Sequence, residues 1–497
     1  MRRVAWGIIV VVVGLALGVS TRAAEIANKS SIYIASPTTR AADAEPIKLG
    51  PGPHLFIDDF LIAESHNVRR VVNRPARDEK IANPIITGKE DGCFQPYMTV
   101  LRDAERGRFR IWYGAGTADR NGSQSLLAYM ESDDGVHWNR PHRLLETPYI
   151  QFGVSVLDEG AKFADAQRRY KLAWWAPPAA KSDEPPGLKL ASSPDGFRWT
   201  QMTRPGAAGD VIVPHSHDIN SMFRDPIRGR YVAIMSTYVD AAAWAGKRRV
   251  TTQSVSADLL HWRTPWRVVV PDPKLEHEQT QFYSMDGFIA RGRLVIGMVK
   301  VLRDDLKADD PPDPPDAYGI GYTALAWTRD GEHWMREREA FFDRDPRRGA
   351  WDHAHAWIDE QVAVGDQVFL YYGGYARGHK VNRFEERQIG LLKMRRDRYI
   401  ARETDAAGGA ITTPTVVIDG DEMTINAEAS GGEIRVRLLD PSGKTLDGFA
   451  FADMQPIMQD GLAMAVKWKR RLAHVRGRPL RMAFAIRSAR LFALDLR

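Results

Sequence analysis

Apolar and polar positions between residues 54 and 402 come in short bursts, with no sustained helical stripe. Phe94-Gln95-Pro96-Tyr97-Met98-Thr99-Val100-Leu101 leads through Arg102-Asp103 and Gly107 into Phe109-Arg110-Ile111-Trp112-Tyr113. Residues 154–157 lead in the same way into 170–175, 220–223 into 231–235, 283–289 into 294–298, and 354–358 into 368–372. Each pair reads as a β-hairpin of short apolar strands around a polar, glycine-bearing turn. A third strand then follows, as in Leu126-Leu127-Ala128-Tyr129-Met130.

Tryptophan marks the end of each third strand. Ser132-Asp133-Asp134-Gly135-Val136-His137-Trp138 is echoed by residues 193–199, 256–262 and 328–334. The Trp-to-Trp spacings are 61, 63 and 72, the last lengthened by an acidic, proline-rich stretch from Asp304 to Asp316. Asp-Gly supplies the turn, and the Ser, Thr or Asp side chain bonds the turn backbone. Five units of three to four strands fill residues 54–402. Radial repetition is the arrangement that leaves few sheet edges open. The predicted fold is therefore all-β: a five-bladed β-propeller followed by a small C-terminal β-sandwich. The sandwich takes residues 411–497, where strands alternate around the turn Asp440-Pro441-Ser442-Gly443, and residues 403–410 are read as a linker.

The N-terminus has a different pattern. Arg2-Arg3 precedes an apolar run to Val19, and Ser20-Thr21-Arg22-Ala23-Ala24 offers small residues for cleavage. Residues 1–23 read as a secretory signal and 24–53 as a linker, which predicts a secreted or periplasmic protein, off the membrane once the signal is removed. Composition agrees with a soluble enzyme or binding module. Of 497 residues 44% are hydrophobic and 27% charged, and the net charge is only +6. That excludes a nucleic-acid track. Cys93 is the sole cysteine, so neither an intrachain disulfide nor a thiolate metal site is available.

In such a propeller, polar residues at the entrance of each inner strand converge on one mouth. The candidates are Glu90, Asp91, Gln95 and Tyr97; Gln151 and Ser155; His215, His217, Asp218 and Asn220; Glu276, His277, Glu278, Gln281, Tyr283 and Asp286; and Asp352, His353 and His355. A ring of carboxylates that cannot all ionise together can hold one as a general acid, as glycoside hydrolysis requires. The pairs His215/His217 and His353/His355 would share a strand face and could present imidazoles to a metal. A His–carboxylate network with Asp218 and Asp352 explains them without one. Arg224-Asp225-Pro226 aligns with Arg102-Asp103 ahead of a glycine turn, so it is read as a hairpin turn and not as chemistry.

His54-Leu55-Phe56-Ile57-Asp58-Asp59-Phe60-Leu61-Ile62, the Arg110-Ile111-Trp112-Tyr113 hairpin, and Tyr371-Tyr372-Gly373-Gly374-Tyr375 with His379 resemble a group of secreted bacterial proteins. That group is related to the five-bladed propeller glycoside hydrolases of the fructosidase and arabinanase type. The resemblance implies three acidic residues on inner strands, serving as base or nucleophile, as modulator and as acid. By strand position these map to Glu90 or Asp91, Asp218, and Glu278 or Asp352, with Asp58 and Asp59 as a further acidic pair.

The leading expectation is an exported glycoside hydrolase. Asp218 would be base or nucleophile and Glu278 the general acid, with Asp352, His217, His353 and His355 tuning them. Gln95, Tyr97, Gln281, Tyr283, Arg377 and His379 would line the sugar site, joined by Glu90, Asp91 and Asn220. The substrate is a carbohydrate, and the positive charge and Arg377 would tolerate an acidic or sulfated glycan. No cofactor is called for, although the channel leaves room for a structural metal ion. Two alternatives stay open: a non-catalytic glycan-binding propeller, and a metal-dependent oxygenase or lyase built on the His-x-His pairs.

Overall fold

The computed structural model describes residues 30–32 and 45–497, apart from residue 104 and segments 117–124, 146–149, 151–152, 178–183, 205–208, 241–245 and 309–317. The expected signal and Gln151 lie outside the described residues. The architecture is all-β, with only one short α-turn and a few 3-10 turns among the described residues.

The five predicted hairpin units are all present. The first sheet runs Cys93–Arg102, Phe109–Gly116, Ser125–Ser132 and Arg143–Leu144; the second Val154–Asp158, Tyr170–Ala176, Gly187–Ser193 and Thr200–Met202. The third runs Asn220–Asp225, Arg230–Val239, Arg248–Ser256 and Trp266–Val269. The fourth, Thr280–Arg291, Leu294–Lys307, Tyr318–Thr328 and Trp334–Arg336, is not a separate sheet. A single parallel bridge between Gly321 and His355 joins it to the fifth, His355–Val364, Gln367–Tyr375 and Arg387–Arg395. The outer edge of the fifth sheet is supplied from far upstream: Ile86 bridges Ile389, and the Asn83 amide bonds both the N–H and the carbonyl of Leu391.

Each sheet's opening strand is buried on both faces for most of its length, which is why these strands read as apolar runs without alternation. Every opening strand packs against the next, and the fifth packs against the first. All five line one cavity of about 480 Å³ at their C-terminal halves, bounded among others by Thr99, Ser155, Ser221, Phe288 and Gln361. Above that cavity the Lys300 ammonium is wholly buried. It is bonded to Asp359 and, at 2.9 Å, to Asp286, and sits 4.6 Å over the Tyr97 ring.

The tryptophan-marked turns are built as their sequence implies. Ser132 Oγ accepts from the Gly135 N–H, and Asp134 Oδ1 accepts from the N–H groups of Val136 and His137. The same bonds recur at Ser193/Asp195, Ser256/Asp258 and Thr328/Asp330. Each turn is also a clasp between sheets. Tyr371 Oη donates to the Gly135 carbonyl, Trp112 Nε1 to that of Gly196, and Gln253 Nε2 to that of Gly331. In the third turn Leu259 occupies the left-handed conformation (φ +71°) that glycine takes in the others. Its carbonyl accepts from its own Trp262, while its side chain is buried with Ala173, Leu188 and Leu190 of the second sheet.

The remaining strands redraw the expected boundaries. Residues expected as linker and as the start of the repeats are hydrogen-bonded into the C-terminal sheets: Ile47–Leu49 beside Val416–Ile418, Gly52–Leu55 beside Ala489–Leu496, Glu64–His66 beside Gly409–Thr412, and Arg69–Val72 beside Ile400–Thr404. The C-terminal sheets therefore do not form a discrete unit of residues 411–497. They enclose one apolar core that includes Phe56, Ile411, Ile425, Val436, Phe484 and Leu494. The Asp405-to-Gly408 stretch, read as a linker, is a tight turn that carries the chain from Ile400–Thr404 in one C-terminal sheet to Gly409–Thr412 in the other.

Candidate functional site

At the N-terminal ends of the opening strands, side chains from three sheets, the third, fourth and fifth, meet around Arg249. Its Nε donates to His217 Nε2 at 2.9 Å. Its Nη1 donates to Gln281 Oε1 at 2.7 Å and to Asp304 Oδ2 at 3.2 Å. Gln281 Nε2 donates to the same Asp304 oxygen at 2.9 Å, and His379 Nδ1 stands 3.7 Å from the other. Asp218 Oδ1 lies 3.3 Å from His217 Nε2.

Beneath this polar layer lies an aromatic floor. Tyr283 stacks between Tyr97 (6.3 Å) and Trp357 (5.0 Å), and His355 stacks on Tyr375 at 4.5 Å. His217 and His379 meet the Tyr283 ring edge-on from either side. Trp357 Nε1 is tied to the Val301 carbonyl, so the floor is fixed.

The two carboxylates of the polar layer are held in opposite protonation regimes. Burial pushes the Asp218 carboxyl up to about 6, against the opposing pull of Arg249, Arg387 and Arg383. Burial also works to raise Asp304, but His379, Arg249 and Gln281 outweigh it and hold that carboxyl well below its ordinary value. Burial keeps the histidines neutral: His215 and His379 are lowered to about 4, and His217 and His355 fall well below the usual imidazole value. Several buried polar atoms here have no hydrogen-bond partner among the described residues, namely both side-chain polar atoms of Asn220, Nδ1 of His217, Nδ1 of His355 and Oδ1 of Asp218. Buried polar atoms left unbonded are costly, so such a set is suited to receive the hydroxyls of a ligand.

The expected site residues divide by position. Tyr97, His217, Asp218, Gln281, Tyr283, His355 and His379 belong to this cluster or its aromatic floor, and Asn220 opens the strand that follows Asp218. Gln95 is buried nearby on Cys93–Arg102, against Gly114. Other candidates are elsewhere. Glu278, expected as the acid, is exposed on the turn before Thr280–Arg291, where its backbone carbonyl accepts from Arg248. Asp352 pairs with Arg77 at 2.6 Å and accepts from Tyr372, lining a separate cavity of about 530 Å³ with Trp351 and Arg347. His353 donates to the Asp345 carbonyl. Asp91 is sealed by Arg140 at 2.7 Å, Glu90 is exposed beside that same guanidinium, and Arg377 is taken by Glu386. Asp58 and Asp59 brace Arg329 and Arg402. Asp225 caps its own hairpin turn and pairs with Arg228, as its alignment implied.

Neither His-x-His pair presents a shared strand face. His215 and His217 lie in the bend before Asn220–Asp225, and His353 lies in the bend before His355–Val364. With Nε2 of His355 bonded to the Gly319 carbonyl, the imidazoles point to different partners. Among the described residues no group of three or more His, Cys, Asp or Glu is placed to hold a metal.

Three residues of this cluster are absent from the expected site residues: Arg249, Asp304 and Trp357. Asp304, in sequence the first residue of the acidic, proline-rich stretch, lies within Leu294–Lys307, which continues through it as one long strand.

No protein-family model matches the chain, and no curated protein matches it. Among solved structures, one described as a glycoside hydrolase is similar at 13% identity, covering 64% of this chain and 95% of that one with a TM-score of 0.41. An N-acetylgalactosamine deacetylase from F. plautii, in complex with blood group B trisaccharide, is similar at 14% identity, covering 67% and 97% with a TM-score of 0.42. A protein of unknown function from Dyadobacter fermentans is similar at 13% identity over 87% of this chain and 99% of its own, with a TM-score of 0.35. The likeness is remote.

Proposed function

We propose that the five sheets are the blades of a five-bladed propeller carrying an interleaved C-terminal sandwich, and that the chain is an exported glycoside hydrolase working at the Asp218/Asp304 mouth. What supports the first part is that each opening strand packs on the next and the fifth on the first around one shared cavity. What supports the second is one observation: two carboxylates joined through His217 and Arg249, one raised by burial and the other held ionised. Carboxyls whose environments drive their protonation apart are suited to divide acid and base roles.

In this reading Asp218 is the general acid, giving its proton to the glycosidic oxygen as the C–O bond breaks. Asp304, ionised and fixed by Arg249 and Gln281, is the base or nucleophile. The aromatic floor suits the apolar face of a sugar ring, and Asn220 with the imidazole nitrogens suits its hydroxyls. The expected roles are thereby changed: Asp218 moves from base to acid, and Asp304 replaces Glu278 as its partner.

The test is a panel of plant and algal glycans offered to the parent protein, Asp218→Asn and Asp304→Asn. Cleavage of some glycan, reduced about 10²–10⁴-fold in each variant, is expected. Variants that cut as fast as the parent would remove both assignments.

One observation favours a second reading, a glycan-binding module without catalysis. Asp91 and Asp352 are each sealed by an arginine, and Asp304 is itself bonded to Arg249. Under that reading a glycan binds at the mouth and none is cleaved.

A further inference from the structure

Resting on the reading of this mouth as the place where a glycan is cleaved, we infer that the sugar bound there carries an anionic group, a uronate carboxylate or a sulfate ester, and that Arg383 receives it. Arg383 is half-buried and forms no ion pair among the described residues. It is not a loose surface cation, because the next residue anchors it. Phe384 stacks on Phe94 at 4.6 Å, its ring lies against Gly116, and its carbonyl lies against Gly88. A Cβ at either glycine would come within 2.7 Å of Phe384.

The neighbouring wall is also basic. The buried Arg387 lies 5.0 Å over the Tyr375 ring, donates to the His379 carbonyl at 2.8 Å, and brings a second fixed guanidinium to the aromatic floor. Arg383 is within electrostatic reach of Tyr97, Tyr283, Tyr375 and Asp218. Of the other described groups of the mouth only Asp218 reaches it with a titratable carboxyl, and that carboxyl holds its proton below about pH 6. Asp304 is shared between Arg249 and Gln281, Glu386 is held by Arg377, and the surrounding imidazoles are uncharged.

A half-buried cation without a counterion costs free energy that an anionic ligand recovers. The planar guanidinium fork matches a carboxylate or a sulfate through paired hydrogen bonds. A neutral sugar would satisfy Asn220 and the free imidazole nitrogens but leave Arg383 unanswered. The expected anion contact, Arg377, is occupied by Glu386, so Arg383 takes over that role.

Calorimetric titration of the full chain and of Arg383→Gln decides the matter at pH 5, where Asp218 is protonated and the anionic probes keep their charge. The probes are disaccharides ending in galacturonate or glucuronate, a sulfated disaccharide, and the neutral disaccharides of the same linkage. The parent is expected to prefer at least one anionic probe over its neutral counterpart by about tenfold or more, and to lose that preference as salt rises. Arg383→Gln is expected to lose the preference while binding the neutral sugar as the parent does, which shows that the variant is folded. Equal affinity for charged and neutral probes, no binding of any anionic probe, or an unchanged preference in Arg383→Gln overturns the inference. If the preference holds and no glycan is cut, the hydrolase reading falls and the anion subsite stands. If an anionic glycan is cut equally fast by both proteins, the hydrolase stands and the subsite falls.

Discussion

Oδ1 of Asp218 lies 3.3 Å from Nε2 of His217, a nitrogen whose lone pair already accepts a hydrogen bond from Arg249. With Asp218 ionised, two acceptors would face one another in a buried setting. A proton on Asp218 removes that clash, so the contact works in the same direction as burial.

The pH dependence of stability follows from that pair. The Asp218 carboxyl is raised to about 6 in the folded chain, above its ordinary value of 3.8. The native state therefore binds the proton more tightly than the unfolded state, and stability falls as pH rises between those values. Asp218→Asn, which cannot ionise, is expected to melt above the parent at pH 7 and to lose that advantage below pH about 4. Melting curves across pH check it. For activity, the proton-donating form is lost as pH rises through about 6, so the rate on any cleaved glycan should fall there.

Arg249 acts on Asp304 in the opposite sense. Together with His379 and Gln281 it holds the Asp304 carboxyl low against the effect of burial. Arg249→Met is expected to raise that carboxyl toward its ordinary range and to move the acid limb of the activity profile upward. It should also cost about 10–100-fold in rate, because His217 and Gln281 lose their common donor. A pH–rate profile separates this from simple unfolding.

Lys300 holds together the centre of the opening strands. Its ammonium is bonded to Asp359 and Asp286, and Asp359 also accepts from the Met98 N–H. Lys300→Met leaves two buried carboxylates without their cation and should cost about 3–5 kcal/mol. Adding Asp359→Asn to that variant should recover part of the loss. Urea unfolding of the single and double variants measures it.

Gly135 and Gly229 separate conformational strain from crowding. Both have positive φ, +74° and +65°. A Cβ at Gly135 would stand 2.5 Å from the Tyr371 hydroxyl, whereas nothing lies within 4 Å at Gly229. Gly229→Ala is expected to cost about 1–2 kcal/mol from the left-handed backbone alone. Gly135→Ala should cost clearly more and loosen the contact between the first and fifth sheets. Thermal unfolding of the two variants compares them.

The hairpins and the tryptophan-marked turns were legible because their information is local. Ser132, Asp134 and Gly135 bond within a single turn, and the same spacing recurs down the chain. Even the exception is intelligible, since Leu259 exchanges the conformational ease of glycine for burial against the second sheet. The site was legible where its residues stand at or just ahead of an opening strand, as His217, Asp218, Asn220, Gln281 and Tyr283 do, while His379 came from the family resemblance. Arg249 enters from the third strand of its sheet and Asp304 from the second strand of its own, and only the register of those strands brings them together. Asp352 misled for the converse reason. It stands just ahead of an opening strand, but the bend there turns it outward to Arg77 and Tyr372.

The pairing of Arg69–Val72 with Ile400–Thr404, and of Ile47–Leu49 with Val416–Ile418, has a consequence for biosynthesis. These early strands leave the ribosome hundreds of residues before their neighbours exist. Their hydrogen-bonding edges stay bare while the intervening sheets are made, which invites capture by other nascent chains. Completion of the C-terminal core therefore waits until residues 400–418 have been made, and a holding chaperone that masks residues 47–72 should raise the yield of native protein.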